Sequence, residues 1–409
     1  MSDREVREQY EALPYPARDP RDEAKRLIIG SPSHVLEIDH YVFGGRRDWT
    51  KPFRALFAGG GTGDGAVMLA QQLADLGCPA ELVHLDQSTA ARQIAEARAV
   101  RRGLTSLRFV TGSLLDLASL DLGAFDYIDC CGVLHHLDDP AAGLAALVGA
   151  LAPDGGVGVM VYGRLGRTGV YEMQEVLRVV AGDGTPRERV QRARKLLADL
   201  PPTNWLARNL NLSDHVEGGD AGLFDLLLHA RDRAFSVEAI GALVDAATLR
   251  LVTFIEPARY DPATFVRDPA ARRAIAGLDG LARAAFAEKL TGAMARHVFY
   301  AVRRDNPVVP AALDRDEAVP MLRGVDGASL AKALGTRGVL VAGDGALQLR
   351  APVPVSSGAI AAHLDNRTSL GELRAALKGL VRSTDLDADI LACCRALNAV
   401  NLLLVRYRA

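Results

Sequence analysis

The 409-residue sequence predicts an α/β fold: a mostly parallel sheet flanked by helices, carrying a helical insertion and followed by a small α+β segment. Three observations predict it. The stretch from Phe53 to Asp86 reads strand, glycine-rich turn, helix, strand, acid. Short apolar runs then alternate with helical stretches as far as Tyr162, the pattern of a parallel sheet covered by helices. Two later runs, Leu249 to Ile255 and His297 to Val302, bring the strand count to seven.

Residues 1–52 are polar and rich in turns, with Tyr10, then Tyr15 and Arg18 around a Pro-Tyr-Pro turn, then a charged stretch expected to be helical from Asp19 to Ile29. This segment leads into the first strand and is placed to fold over the glycine turn as a lid. The first strand is expected over 54–58, a helix over 63–76, a second strand over 81–86, and a second helix from Ser88 to about Arg102. Gly59, Gly61 and Gly63 permit a sharp turn whose N–H groups, at the positive end of the helix, suit an anionic group. Asp86 ends the second strand, where an acid meets the hydroxyls of a ribose.

Strands over 107–110 and 125–130 end at Gly112-Ser113-Leu114 and Cys131-Gly132, the latter running on to His135-His136. Asp139-Pro140 supplies an N-cap and a first-turn proline for a helix to about Leu151, and a fifth strand follows over 157–162. All these segments follow strand ends, so they converge on one crevice. A helical insertion over 163–234 is expected to cover it, with Trp205, Asn209 and His215 as candidate lining. Tyr162, Arg164, Arg167 and Tyr171 lie where a substrate would enter. Residues 53–162 and 235–305 form the sheet domain, and residues 306–409 a C-terminal domain with a capping box at Ser369 and Glu372.

Composition narrows the function classes. A net charge of -2 gives no general attraction to nucleic acid or anionic membrane, and acids at 385, 387 and 389 beside the last helix argue against DNA binding. No apolar run approaches a membrane span, and the charged start is unlike a signal peptide, so a cytoplasmic location is expected. The five cysteines form neither a disulfide framework nor a metal knuckle, and no metal is expected.

In order and spacing, residues 53 to 162 resemble the class I S-adenosylmethionine-dependent methyltransferases, whose Rossmann-like sheet has seven strands. The resemblance implies that Gly59, Gly60, Gly61, Thr62 and Gly63 embrace the methionine part of the cofactor and that Asp86 takes the ribose, with Gln87 and Ser88 also in the cofactor site. Gly112, Ser113 and Leu114 then contact the adenine, and Cys131 and Gly132 complete the cofactor site. The segment through His135 and His136 resembles the signature after strand four of many small-molecule methyltransferases and supplies a candidate base. Two departures stand out. Ala58 occupies the place of an acid expected just before the first glycine, so contact with the cofactor amine must come from elsewhere, and Ser113 replaces a frequent aspartate.

The implied function is methyl transfer from S-adenosylmethionine, leaving S-adenosylhomocysteine, to an oxygen, nitrogen or sulfur of a small metabolite or a protein side chain. The residues from Asp129 to Gly132 lack the Asn/Asp-Pro-Pro-aromatic signature of base-amine methylation. One alternative is a protein-lysine methyltransferase whose C-terminal domain, distantly similar to winged-helix modules, docks the substrate or forms a homodimer. Others are a non-catalytic scaffold and an NAD(P)-dependent oxidoreductase. The dinucleotide fingerprint read from Gly59 meets Asp64 at its third glycine, while read from Gly61 it meets the permitted Ala66.

Overall fold

A computed structural model describes residues 3–343 and 347–408 of the chain. Seven strands form one sheet: β1 (Phe53–Ala58), β2 (Ala80–Asp86), β3 (Leu107–Thr111), β4 (Phe125–Cys131), β5 (Leu151–Tyr162), β6 (Leu249–Phe254) and β7 (Arg296–Arg303). Their order is β3-β2-β1-β4-β5-β7-β6, with β7 antiparallel to both neighbours. The order reverses between β1 and β4. A ligand crevice opens at such a reversal, beyond the carboxyl ends of the strands.

Helix α1 (Asp3–Ala12) precedes the sheet, and α2 (Asp64–Asp75), α3 (Thr89–Arg101) and α4 (Pro140–Gly149) cover it. Local chemistry sets their starts. The Ser88 hydroxyl accepts from Ala91 N–H to begin α3, and Asp139 accepts from the N–H groups of Ala141 and Ala142 to begin α4. Gly63, at φ +94°, begins α2 without any side-chain cap, leaving the positive end of that helix open to the crevice. One core layer holds Leu56, Ala58, Val83, Ile128 and Val159; the opposite layer holds Ala55, Phe57, Leu69 and Tyr300.

Three expectations change. Of the stretch from Asp19 to Ile29, only Pro20–Ala24 is helical, as a 3-10 turn capped by Asp19, because the segment is held by side chains of other elements. Strand β5 begins at Leu151, six residues early, through its pairing with Phe125. The polar N-terminal stretch contains α1, which packs against α3.

The insertion contains helices Val170–Val180 and Pro186–Ala198 and ends in a π-helical turn, Phe224–Leu228, around its own apolar core. Towards the C-terminal end, β8 (Ala318–Leu322), β9 (Val339–Ala342), β10 (Leu349–Pro352) and β11 (Leu403–Tyr407) form two antiparallel pairs, β8 with β11 and β9 with β10. The capping box at Ser369 and Glu372 is present. This part packs on residues 35–43. His40 Nδ1 lies 3.0 Å from the Val405 carbonyl, the Tyr41 hydroxyl donates to Asn401, and buried Glu37 pairs with Arg323.

Candidate active site

A cavity of about 440 Å³ opens at the reversal in strand order. Its floor is the glycine turn. Gly59, Gly61 and Gly63 have φ of +73°, +52° and +94°, values that side-chain-bearing residues rarely adopt. A Cβ at Gly59 would fall 2.4 Å from Val133, and one at Gly60 would fall 2.4 Å from the His84 ring. His84 is fully buried and donates from Nε2 to the Gly61 carbonyl, propping the turn from below. Burial drives its pKa down, so it is neutral there. Sequence reading passed it over as one polar residue in an apolar strand.

Asp86 is fixed by two backbone donors, Gly61 N–H to Oδ2 at 2.7 Å and Ser88 N–H to Oδ1 at 2.8 Å. Each oxygen keeps a further lone pair for a hydroxyl in the cavity. Thr62, Gln87, Ser88, Gly112, Leu114, Cys131 and Gly132 also line the wall. Ser113 does not. Its hydroxyl caps the 3-10 turn Leu114–Ser119 by accepting from Leu115 N–H, which turns it away from the space the sequence assigned to it.

The N-terminal segment crosses the cavity, with Tyr10, Tyr15 and Arg18 among the lining residues. Arg18 grips Asp64 through Nε at 2.9 Å and a second guanidinium nitrogen at 2.6 Å, and the Thr62 hydroxyl donates to the Pro16 carbonyl. Buried Arg98 ties the same place together, reaching Glu23, Asp64 and the Thr62 carbonyl. Farther back, the Glu11 carboxylate accepts from the Thr89 and Ala90 N–H groups at the start of α3. An acid at the positive end of a helix is held by charge as well as by hydrogen bonds.

The two neighbouring histidines have different surroundings. His135 is fully buried, stacks on Tyr162 with ring centroids 3.8 Å apart, and has no hydrogen-bond partner for either nitrogen. Burial, and then proximity to His136, hold its pKa far below the ordinary range, so it is a neutral packing ring. It does not line the cavity, and the sequence-based expectation of a base there is not met by its placement. His136 does line the cavity. Its Nδ1 lies 2.8 Å from the Arg231 carbonyl, which only accepts, so Nδ1 carries the proton and Nε2 of the neutral ring keeps a lone pair.

Around His136 lies a hydrogen-bonded group in which the expected Tyr10 and Tyr162 meet two residues that sequence reading missed, Asp225 and His229. The Tyr10 and Tyr162 hydroxyls donate to the two oxygens of Asp225, at 3.0 and 2.7 Å. His229 stacks on His136 at 3.8 Å with ring planes 17° apart. Ligand atoms of His136, Asp225 and His229 lie within 4.8 Å of one another, a spacing that invites a metal reading. The orientation does not suit it. In-plane lone pairs of nearly parallel rings do not converge on one ion, and His229 Nδ1 accepts from Arg231 N–H, which leaves the proton on the Nε2 that faces Tyr10. Tyr10, Tyr162, Asp225 and His229 form a hydrogen-bonded network, with His136 stacked on its edge.

Tyr162 lines the cavity, but Arg164 is exposed on the outside. Arg167 is buried, paired with Asp232 at 2.7 Å and lying over the Tyr162 ring. Of the insertion residues singled out, Trp205 is exposed and Asn209 is bonded to the carbonyls of Gly166 and Thr168; neither they nor His215 line the cavity. The insertion contributes Asp225 instead. Among the described residues, no helix is long and apolar enough to cross a membrane.

Residues 56–157 match a family described as a methyltransferase domain. An uncharacterised Synechococcus protein is 32% identical over 262 residues, which is 62% of this chain and 60% of that protein. A ubiquinone biosynthesis O-methyltransferase of Albidiferax ferrireducens is 30% identical over 95 residues, 23% of this chain and 37% of that enzyme. Among solved structures, PKMT2 from Rickettsia typhi, in complex with AdoHcy, superposes with a TM-score of 0.61 at 15% identity, covering 91% of this chain and 75% of that one. That likeness is one of fold.

Proposed function

We propose that this chain is a class I S-adenosylmethionine-dependent methyltransferase that moves a methyl group from S-adenosylmethionine to an oxygen, nitrogen or sulfur nucleophile seated against His136. One observation carries the reading. The glycine turn, the backbone-fixed Asp86 and the lone pair of His136, all within the matched residues, line a single cavity.

The residues present fit the cofactor. Side chains at Gly59 or Gly60 would collide with Val133 or His84, so the turn presents bare backbone to its occupant. Gly59 to Gly63 and the open start of α2 would hold the methionine part, Asp86 the ribose, and Gly112 and Leu114 the base. S-adenosylmethionine, when bound, supplies an electrophilic methyl group. The chain contributes alignment, exclusion of water and a proton acceptor. His136 Nε2 takes the proton from the nucleophile, while Nδ1–H stays on the Arg231 carbonyl and fixes the ring. Tyr10, Tyr15 and Arg18 act as the lid.

The acceptor is a small metabolite or a protein side chain that reaches the cavity. None of the lining residues lies beyond Arg296, so the C-terminal part does not line the cavity. Calorimetric titration with S-adenosylmethionine and S-adenosylhomocysteine, with NAD as control, tests the cofactor. Binding of the sulfonium pair alone is expected; binding of NAD alone would overturn the reading. Transfer of labelled methyl groups in a cell extract, separated by size, then distinguishes metabolite from protein acceptors.

A further inference from the structure

The sequence lacks an acid just before the first glycine, and the structure shows where a carboxylate enters the cavity instead. Ala58 packs into the core layer away from the cavity, so an acid there would be aimed into hydrocarbon. The β1 residue that faces the cavity is Phe57. Its register partner on β4 is Asp129, and paired residues of adjacent strands project from the same face. Both side chains lie under the start of α2: a Cβ on Gly65 would come 3.4 Å from the Phe57 ring and 3.5 Å from Asp129 Oδ2.

We propose that Asp129 is the anionic anchor for the cofactor's α-ammonium group, supplied by β4 because β1 offers none. The inference rests on the S-adenosylmethionine reading above and names a residue of that site. Asp129 lines the cavity yet is only 5% exposed. Its own partners leave it short of charge. The Ser33 hydroxyl donates to Oδ2 at 2.5 Å and Cys131 N–H to Oδ1 at 3.2 Å, and neither is a cation. Burial therefore pushes its pKa up to about 6. A buried carboxylate with two neutral donors and spare lone pairs facing a cavity is complemented by an ammonium.

The position is held from behind. Ser33 belongs to a strap, residues 30–34, whose Gly30, Ser31 and Pro32 also line the cavity. The Tyr300 hydroxyl accepts from Ser33 N–H and donates to Glu37, and Glu37 pairs with Arg323. The anchor is thus braced by residues from both ends of the chain.

The test is calorimetric titration of the full chain and of Asp129→Asn with two ligands, S-adenosylhomocysteine and methylthioadenosine, which lacks the amino-acid end. The expected result is that the variant binds S-adenosylhomocysteine roughly 10- to 100-fold more weakly, the worth of a hydrogen bond between charged groups, and binds methylthioadenosine as the wild type does. Retained methylthioadenosine binding also shows that the variant is folded. Equal weakening of both ligands, or of neither, overturns the anchor while leaving the cofactor reading in place. Wild-type protein that binds neither ligand overturns both. For a variant that does not fold, the wild type alone decides: it should prefer S-adenosylhomocysteine over its desamino analogue by the same factor, and equal affinity refutes the anchor.

Discussion

Glu37 is the point at which the C-terminal part can be tested for control over the cavity. Its side chain is fully buried; its carboxylate accepts from the Ser31 hydroxyl at 2.5 Å, the Tyr300 hydroxyl at 2.7 Å and Asn401 Nδ2 at 2.6 Å, and it forms an ion pair with Arg323, whose Nε lies 2.8 Å away. Arg323 is the one cation in that group, and it also donates to Ser31 at 2.9 Å. Arg323→Met keeps most of the apolar stem and removes the charge. Breaking a buried pair costs about 3–5 kcal/mol. Three neutral donors remain and the arginine is 17% exposed, which places the cost lower, at about 2–3 kcal/mol. With an unfolding entropy of about 2.1 cal/mol/K per residue, a cooperative chain of this length should lose about 3 °C in Tm. Differential scanning calorimetry reads that loss, and Glu37→Gln combined with Arg323→Met should be less destabilised than the two singles added together. Because Ser31 and Pro32 line the cavity, S-adenosylhomocysteine affinity should fall in Arg323→Met as well. A variant melting within 1 °C of wild type, or strict additivity in the double, would refute the coupling. Removing residues 306–409 would strip Glu37 of two partners, Arg323 and Asn401.

Further predictions concern the cavity itself. His136→Gln should lower turnover by about 10²- to 10⁴-fold with S-adenosylhomocysteine affinity unchanged, whereas His135→Phe should keep turnover within a few-fold; the reverse pattern in steady-state assays would exchange their roles. Asp86→Asn should weaken S-adenosylmethionine about 10- to 100-fold in a binding titration, because an amide cannot accept from Gly61, Ser88 and a ribose together. Without ligand, Asp129→Asn should melt higher than wild type at pH 7.5 and equally near pH 4. The sign follows from burial. The folded protein holds a proton on Asp129 up to about pH 6, while the unfolded chain releases it near the usual 3.8, so wild-type stability falls as pH rises between those values. The Tyr127 and Cys131 groups nearby are pushed upward by burial and stay neutral across that window. A difference in Tm that is constant with pH would show that Asp129 acts by packing alone.

The sequence by itself determined the parts of this protein whose causes are local. Glycines that permit positive φ, Asp139-Pro140 at a helix start, Ser88 before α3 and apolar runs of strand length act within a few residues, so they carried the sheet, the turn and Asp86. Tertiary structure decided what depends on which face a side chain takes and on partners far away in the chain. Adjacent His135 and His136 were equivalent on paper; a short 3-10 turn sends one into packing against Tyr162 and the other to the cavity. Ser113 was spent on capping its own turn, and Arg164 was left outside. Asp225 and His229 joined the site from the insertion, 89 and 93 residues after His136, and Asp129 gained its meaning from its register with Phe57. Residue spacing along a chain encodes periodicity and caps. Which carboxylate stands under a helix start, and which is paired with Arg323 from 286 residues away, is set when distant surfaces pack and exclude water.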